Sequence, residues 1–309
     1  MPRKIILDMD PGVDDAVALC FALAHPELEV VAVTATGGNV GPEQSTRNVQ
    51  AIVERIDPPR WPRIGAADTL QPLRTDARDL HGPMGLGGVE LPVAEKANRH
   101  TSVKVIADEA RQAPGEITLV CTGPYTNAAA VLTREPDVAE ALRRVVVLGG
   151  SVSAGGNVTP AAEFNVFCDP GSAREVYRSA ATTTVVPLDV SRELLFGFDL
   201  LEFARSRGSR TASLLAEVLP GFFRAYRERL GVEGVCLHDL AAVMFVAEPR
   251  LFASELMHGD VEIQGELTVG ATVFDRRSRP DRQPNLEVAI SVDAEAAREA
   301  LYRTLERAS

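Results

Sequence analysis

The length of 309 residues allows one large α/β domain or two ordinary ones, and a composition of 45% hydrophobic and 24% charged residues is that of a globular protein with a sizeable core. The formal net charge of −11 argues against nucleic acid and anionic membranes as partners, because both require a positive patch, but it does not exclude a small neutral substrate. Since no apolar run approaches about 18 residues and the N-terminal run is too short for a signal peptide, we expect no membrane segment and a cytoplasmic location.

The first two thirds of the sequence alternate apolar, β-rich runs with helical stretches. The predicted strands are residues 5–7, 30–36, 117–121, 145–148 and 183–188. The predicted helices include residues 14–24, residues 44–55 and a helix after Thr126. Strands that are apolar throughout and separated by helices indicate parallel pairing with both faces covered. We therefore predict an α/β fold with a Rossmann-like, doubly wound, mainly parallel sheet and helices on both faces.

The pattern changes after Pro249. Residues 261–264 and 286–290 alternate or nearly alternate in polarity, which is typical of antiparallel strands, and residues 294–307 predict a closing helix. No linker or low-complexity tract separates this part, so we predict a single domain over residues 1–309 with a small antiparallel C-terminal appendage.

The densest chemical signal is the octet DMDPGVDD at residues 8–15, which follows the first strand and leads into a helix. Ligands of open α/β sheets bind at that edge. Four carboxylates in eight residues repel one another unless a cation neutralises them, and oxygen ligands favour Ca²⁺ or Mg²⁺ over zinc. The alternative is an Asp-rich turn with Asp14 as the helix N-cap, which needs no metal.

Three other polar segments are ambiguous when each is taken alone. The pair His238-Asp239 stands at the start of an apolar helix and could be a cap beside an ordinary histidine. Residues 122–127, TGPYTN, could be an ordinary Gly-Pro turn. Residues 156–165, GNVTPAAEFN, offer two amides and a carboxylate that suit sugar hydroxyls, but they could also form a polar surface loop.

Taken together, these segments resemble the inosine-uridine preferring nucleoside hydrolase family. The matching pieces are DMDPGVDDA (8–16), GGN (37–39), HG and GLGG within 81–88, TGPYTN (122–127), GNVTPAAEFN (156–165) and HD (238–239), with further likeness at 265–277 and 285–293. The resemblance therefore extends from residue 8 almost to the C-terminus. It implies an enzyme that hydrolyses the N-glycosidic bond between ribose and a nucleobase.

The resemblance also implies roles for individual residues. It implies a calcium ion held by the side chains of Asp10, Asp15 and Asp239 and by the backbone carbonyl of Thr122. Asp14 is the implied general base, and His238 is implied to assist the departing base. The residues implied to contact the nucleoside are Asn39, His81, Asn157, Glu163, Phe164, Asn165 and Tyr226.

The chemistry of these residue types agrees with those roles. Ca²⁺ accepts carboxylates, carbonyl oxygens, water and sugar hydroxyls together, and metal binding lowers the pKa of a water whose proton Asp14 can take. Departure of the base makes the ribose oxocarbenium-like, and negative oxygens stabilise that charge. Because adjacent helix residues point about 100° apart, Asp239 can face the metal while His238 faces the base.

Two rival functions are weaker. A haloacid dehalogenase-type Mg²⁺-dependent phosphatase would use Asp8 as nucleophile and Asp10 as acid-base, but Gly12 stands where that motif has Thr or Val. A non-catalytic nucleoside-binding protein would not require Asp14 and His238.

Substrate preference and assembly are less well specified. His81, Tyr226 and His238 favour the pyrimidine-preferring or broad-specificity branch, acting on uridine or inosine. Tyr125 and Leu148 depart from the family pattern near the metal and the ribose. The family implies a homo-oligomer, either tetramer or dimer, and we expect lids at residues 81–88 and 222–234.

Overall fold

A computed structural model describes residues 2–68, 73–94 and 100–308. Its strands are β1 (Arg3–Met9), β2 (Leu28–Ala35), β3 (Arg63–Gly65), β4 (Thr118–Cys121), β5 (Arg144–Leu148), β6 (Thr183–Val186), β7 (Leu195–Phe196), β8 (Val235–Cys236), β9 (Phe252–Val261), β10 (Thr272–Asp275) and β11 (Leu286–Val292).

Helices cover both faces of the main sheet, which contains all of these strands except β7 and β8. They are α1 (Val13–Ala24), α2 (Pro42–Ile56), α3 (Arg78–His81), α4 (Ser102–Gln112), α5 (Thr126–Arg134), α6 (Pro136–Ala141), α7 (Phe164–Cys168), α8 (Pro170–Arg178), α9 (Leu188–Ser191), α10 (Asp199–Arg205), α11 (Arg210–Ala225), α12 (His238–Ala247) and α13 (Ala294–Leu305). A π-helix, Tyr226–Leu230, continues α11, and a 3₁₀ turn spans Pro249–Leu251. Within the described ranges, no helix is both long and apolar enough to cross a bilayer.

The order of the parallel strands confirms the predicted fold. Within the described part of the chain, nine strands form one sheet in the order β10-β9-β11-β6-β5-β4-β1-β2-β3. The pairs from β3 to β11 are parallel, and β3-β2-β1-β4-β5-β6 is the doubly wound order. The chain direction across the sheet reverses between β1 and β4. A crevice opens at such a reversal, beyond the carboxyl ends of the two strands.

The C-terminal strands differ in detail from the prediction. β11 is antiparallel to β9 but parallel to β6, so the antiparallel part extends the main sheet. The strand predicted at residues 261–264 is displaced, because β9 ends at Val261. The Glu262 carboxylate then accepts the Gln264 and Gly265 N–H groups at 2.7 and 3.1 Å and turns the chain. The strands β3 and β10 and the small β7–β8 sheet were not predicted.

The central helix α1 has no solvent-exposed face, because other helices and the sheet surround it. Residues 13–22 are all buried, and α1 contacts α11, α12 and α13 on one side of the sheet. An apolar helix surrounded by protein is expected to be hydrophobic on all sides. Its two carboxylates, Asp14 and Asp15, are therefore in the interior at the helix N-terminus. Because this N-terminus follows β1 after a short turn, both carboxylates lie close to the carboxyl end of that strand.

Asp8 lies beneath this edge and ties three elements together. Its side chain is fully buried, and Oδ1 accepts the Thr34 hydroxyl at 2.7 Å and the Asn127 amide at 2.8 Å. The Asn127 amide also donates to the Ala35 carbonyl at 2.8 Å, which joins β1, β2 and α5. Burial raises the pKa of Asp8 to about 7. A carboxylate enclosed in this way cannot attack a substrate as the phosphatase alternative requires.

We predict that Asn127→Ala lowers the free energy of unfolding by about 2–4 kcal/mol, because it removes two buried hydrogen bonds and leaves their acceptors underpaired. Urea denaturation measures the change. Thr133→Ala, which removes a hydroxyl bonded to the Ala129 carbonyl of the same helix, is the matched control and should cost under about 1 kcal/mol. Equal effects of the two substitutions would contradict this account of Asn127.

Candidate active site

A cavity of about 520 Å³ opens at the point where the strand order reverses. Its lining includes every residue that the sequence predicts for the site except Asp15: Asp10, Asp14, Asn39, His81, Thr122, Asn157, Glu163, Phe164, Asn165, Tyr226, His238 and Asp239. Asp15 is fully buried next to this lining. The structure therefore brings together residues that are up to 229 positions apart in the sequence, from Asp10 to Asp239.

Four aspartate side chains crowd the floor of the cavity. Carboxylate oxygens of Asp14, Asp15 and Asp239 lie within 4.8 Å of one another. Asp10 adjoins this group, and burial followed by the charges of Asp15 and Asp14 raises its pKa well above the ordinary value. Burial and the charge of Asp14 likewise raise the pKa of Asp239. The floor therefore concentrates negative charge in a place that water reaches poorly.

Backbone and side-chain donors fix the direction of these carboxylates. Asp10 Oδ2 accepts the Asn39 N–H at 2.6 Å. Asp15 Oδ2 accepts the Gly12 N–H at 2.8 Å, and its Oδ1 accepts the Thr122 hydroxyl at 2.8 Å. Asn165 Nδ2 donates to the Thr122 carbonyl at 2.6 Å. The floor is thus held in place before any ligand arrives.

Asp14 does not cap the helix. The helix begins at Val13 with Gly12 as its N-cap, so the alternative that made Asp14 the cap is wrong. Within the described residues, the buried Oδ1 of Asp14 has no hydrogen-bond partner. Burial, and then the charge of Asp15, raises the pKa of Asp14 to about 7. Oδ1 is therefore the carboxylate oxygen of Asp14 that is left for a ligand.

The donor set fits a divalent cation. Buried carboxylates are stable only when they are protonated, paired or bound to metal, and Arg229 is the single Lys or Arg among the described lining residues. The candidate ligands are all oxygens, which suits a hard ion. The orphaned Oδ1 of Asp14 is a further sign that a polar group belongs at this floor.

Two neutral histidines line the cavity. His81 Nδ1 accepts the Val13 N–H at 3.1 Å, so its proton must be on Nε2. Although His81 Nδ1 is only 3.8 Å from Asp14 Oδ1, this is not an ion pair, because burial and then His238 lower the pKa of His81 to about 3. Burial and the charge of Arg192 lower the pKa of His238 to about 4.

The loop at residues 151–169 supplies one wall and contains the short helix α7. Glu163 is its N-cap: Oε2 accepts the Val166 and Gly150 N–H groups at 3.2 and 3.0 Å. Burial raises the pKa of Glu163 to about 7. Asn157 Oδ1 accepts the Phe164 N–H at 2.9 Å, so the exposed Asn157 is held beside the half-buried Phe164.

Tyr125, which departs from the family pattern, makes a buried hydrogen bond beside the cavity wall. Its hydroxyl donates to the Leu148 carbonyl at 2.9 Å, and Asn165 Nδ2 donates to the same carbonyl at 3.1 Å. Tyr125 thus supports the wall that carries Asn165.

Sequence reasoning missed several contributors to the site. Gly38 and Gly123 enclose the Asp10 carboxylate: a Cβ on Gly38 would lie 1.9 Å from Oδ2, and one on Gly123 would lie 2.5 Å from Oδ1. Phe222 stacks on His81 with ring centroids 5.0 Å apart. Ser191 Oγ lies 3.0 Å from His238 Nδ1. Ser191 ends the helix that follows β6, so the rule that sites form at strand ends was the signal that could have identified it.

The π-helix adds to the opposite wall. Arg229 and Leu230 line the cavity beside Tyr226, and Tyr226 packs edge-on against Phe222 with centroids 4.8 Å apart. π-helices occur frequently at functional sites.

A family model, relatives of known function and solved structures all match this chain over nearly its whole length. A model of the family described as inosine-uridine preferring nucleoside hydrolase matches residues 5–299. The pyrimidine-specific ribonucleoside hydrolase RihA of Klebsiella pneumoniae is 38% identical over 99% of both chains, and that of Salmonella typhi is 36% identical over 99% of both. A purine-preferring ribonucleoside hydrolase from Gardnerella vaginalis has a similar solved structure, with a TM-score of 0.91, 30% identity and 99% of both chains covered. The plant nucleoside hydrolase PpNRh1 matches with a TM-score of 0.91 and 29% identity over 99% of both chains.

We predict that Gly38→Ala weakens the binding of a divalent cation by at least about tenfold, because the added methyl group must displace the Asp10 carboxylate. Isothermal titration with Ca²⁺ measures the affinity. Gly41→Ala is the matched control, since a Cβ at Gly41 meets no atom within 4 Å and φ there is −63°. Equal affinities for the two variants would show that the position of Asp10 does not matter for the ion.

Proposed function

Because the chain belongs to the inosine-uridine preferring nucleoside hydrolase family, whose members are ribonucleoside N-glycosyl hydrolases, we propose that it hydrolyses pyrimidine ribonucleosides to ribose and free base with Ca²⁺ as its metal. The observation that carries this proposal is the convergence of Asp10, Asp14, Asp15 and Asp239 on one buried floor. Neutral nucleosides suit a cavity rich in carboxylates.

The residues that would hold the ion are Asp10, Asp15 and Asp239 through their side chains and Thr122 through its carbonyl. Ca²⁺ takes about six to eight oxygen ligands, so these four groups leave positions for water and sugar hydroxyls. When bound, the ion lowers the pKa of water and holds hydroxyl oxygens.

Asp14 acts as the general base. Its unpartnered Oδ1 lies at the cavity floor beside the candidate metal ligands, which suits a carboxylate that takes a proton from water there. As the water oxygen forms its bond to C1′ of the ribose, Asp14 accepts the water proton. The C1′–N bond breaks at the same centre, and its electron pair leaves with the base.

The amide and carboxyl groups of the walls orient the sugar. Asn39, Asn157, Glu163 and Asn165 line the cavity and can donate to or accept from ribose hydroxyls. Asn39 and Asn165 are themselves held by bonds to Asp10 and Thr122, so the sugar is bound by groups that are already oriented. The nearby carboxylates stabilise the positive charge that develops on the ring.

His238 assists the departing base. A nucleobase leaves poorly as an anion, and a neutral imidazole that donates a hydrogen bond lowers the charge on its ring atoms. In the overall reaction, the hydroxyl of water is added to C1′ and a proton is added to the base.

The base pocket supports a pyrimidine preference. His81, Phe164, Tyr226 and Leu230 line the cavity. The single tryptophan, Trp61, is 43% exposed and is not among the described residues that line it, so it does not stack on a purine. Relatives at 36–38% identity that are named pyrimidine-specific support the same preference.

A homo-oligomer, either a dimer or a tetramer, and a cytoplasmic location are further parts of the proposal that rest on the family resemblance. Light scattering of the purified protein tests the first, since a mass near 33 kDa would rule out both assemblies.

We predict that the metal-stripped protein releases no ribose from uridine and regains activity when Ca²⁺ is added. Asp10→Ala should abolish the activity, and Asp14→Asn should lower kcat by about 10²–10⁴-fold, because no base remains to take the water proton. A reducing-sugar assay measures ribose. Asp281→Asn, on an exposed aspartate, is the matched control and should keep full activity. Phosphate release from phosphomonoesters without free ribose would instead support the phosphatase alternative.

We further predict that kcat/KM for uridine exceeds that for inosine by at least about tenfold, a discrimination that pocket contacts can supply. The same assay over a panel of four ribonucleosides gives the ratio. A ratio at or below one would remove the pyrimidine preference while leaving the hydrolase activity in place.

A further inference from the structure

Ser191 is a buried hydroxyl at the edge of the active-site cavity with no role in the proposal above. It ends α9, which follows β6 directly, and its side chain is 1% exposed. Its Oγ lies 3.0 Å from Nδ1 of His238, the first residue of α12. The backbone of α9 is fixed, since the Leu188 N–H donates to the Gly150 carbonyl at 2.8 Å and the Ser191 N–H donates to the Pro187 carbonyl at 3.0 Å.

The direction of this hydrogen bond decides which histidine nitrogen carries the proton. A neutral imidazole has one N–H donor and one bare acceptor nitrogen. If Nδ1–H donated to Ser191, the buried serine O–H would itself need an acceptor, and among the described residues no other partner of this hydroxyl is found. If Ser191 donates to Nδ1, that buried donor is satisfied. Because a buried donor without an acceptor loses the hydrogen bond that it makes to water in the unfolded chain, the second arrangement is favoured.

We propose that Ser191 is a positioning residue that donates to Nδ1 and holds His238 as the Nε2–H tautomer, so that an N–H donor faces the departing base. The inference rests on the proposed function, in which His238 assists that departure. With Nδ1 engaged by Ser191, Nε2 is the nitrogen left for the cavity that His238 lines. The opposite tautomer would place a bare lone pair there, which repels the electron pair that the base takes away.

His81 shows the same arrangement with a different donor. The Val13 backbone N–H donates to His81 Nδ1 at 3.1 Å, which fixes the proton of that ring on Nε2. Both histidines of the cavity therefore present the same nitrogen, one through a backbone amide and the other through a serine hydroxyl. Only the serine can be removed by substitution, so Ser191 is the position at which the idea can be tested.

The role of Ser191 can be tested with two substrates whose leaving groups differ in their need for a hydrogen-bond donor. In uridine hydrolysis the C1′–N bond breaks and its electron pair goes onto the pyrimidine, which accepts a hydrogen bond from Nε2 while Ser191 keeps its own proton. In hydrolysis of p-nitrophenyl riboside the pair goes onto a stable phenolate, which needs no such donor. Loss of the tautomer should therefore slow the first reaction and spare the second.

The experiment compares wild type, Ser191→Ala, Ser191→Thr and His238→Ala with both substrates. We expect Ser191→Ala to lower kcat for uridine by about 10–100-fold and to change kcat for p-nitrophenyl riboside by less than about threefold. Ser191→Thr keeps the hydroxyl and should recover most of the uridine activity. Ser179→Ala, which removes a hydroxyl bonded to the Val176 carbonyl at a helix end, is the control and should match wild type.

A second measurement reads the tautomer directly and does not depend on activity. ¹⁵N NMR of histidine-labelled wild type reports which nitrogen of His238 carries hydrogen, with His238→Ala assigning the signal. We expect the Nε2–H form in the wild type and a mixture of tautomers in Ser191→Ala.

The outcomes separate this inference from the proposed function. An Nδ1–H form in the wild type, or equal losses on both substrates in Ser191→Ala, overturns the role of Ser191. If His238→Ala itself fails to distinguish the two substrates, the proposed role of His238 is wrong, and the NMR result still decides the tautomer.

Discussion

The structure depends on mutual repulsion between carboxylates that the fold forces together. Asp10 directly follows the first strand, Asp14 and Asp15 lie in the first turn of a fully enclosed helix, and Asp239 lies in the first turn of another. None of them can turn to solvent, so burial raises the pKa of each, and the charges of neighbouring carboxylates raise it further for Asp10, Asp14 and Asp239. A divalent cation would offset that repulsion, and the surrounding donors already hold the Asp10 and Asp15 carboxylates in position for one. Without the ion, the same floor would be a source of instability.

The groups around that floor divide into two classes. Backbone amides and small residues fix the carboxylates: Asn39 and Gly12 donate N–H groups, and Gly38 has no side chain where a methyl group would collide with Asp10. The other class lies on the upper walls and is neutral. His81 and His238 have lowered pKa values, so they offer directed hydrogen bonds without adding positive charge that would compete with a cation. Negative charge below and neutral donors above suit the proposed reaction, in which positive charge develops on the ribose ring and negative charge on the departing base.

The sequence alone predicted those elements and site residues whose pattern lies within one short segment of the chain. The strands β1, β2, β4, β5 and β6 were predicted because their runs are mostly apolar, and the octet at residues 8–15 because its charges are adjacent. The parallel strand β3 was missed because it is only three residues long. β9 was misplaced because residues 253–256 are exposed and carry no alternation, and β7 and β8 are two residues long. No local pattern links Asp239 to Asp15, and only the family resemblance did so. Ser191 was missed because one serine has no pattern, and its meaning comes from a contact 47 residues away.

The central claim is that distant aspartates share one ion, and a crystal structure grown with Ca²⁺ tests it most directly. The account predicts a single density peak whose ligands are carboxylate oxygens of Asp10, Asp15 and Asp239 and the Thr122 carbonyl, each at about 2.3–2.6 Å. Asp14 should approach a water molecule beside that peak. A well-ordered floor without an ion in saturating Ca²⁺, or an ion bound elsewhere with these carboxylates apart, would contradict it.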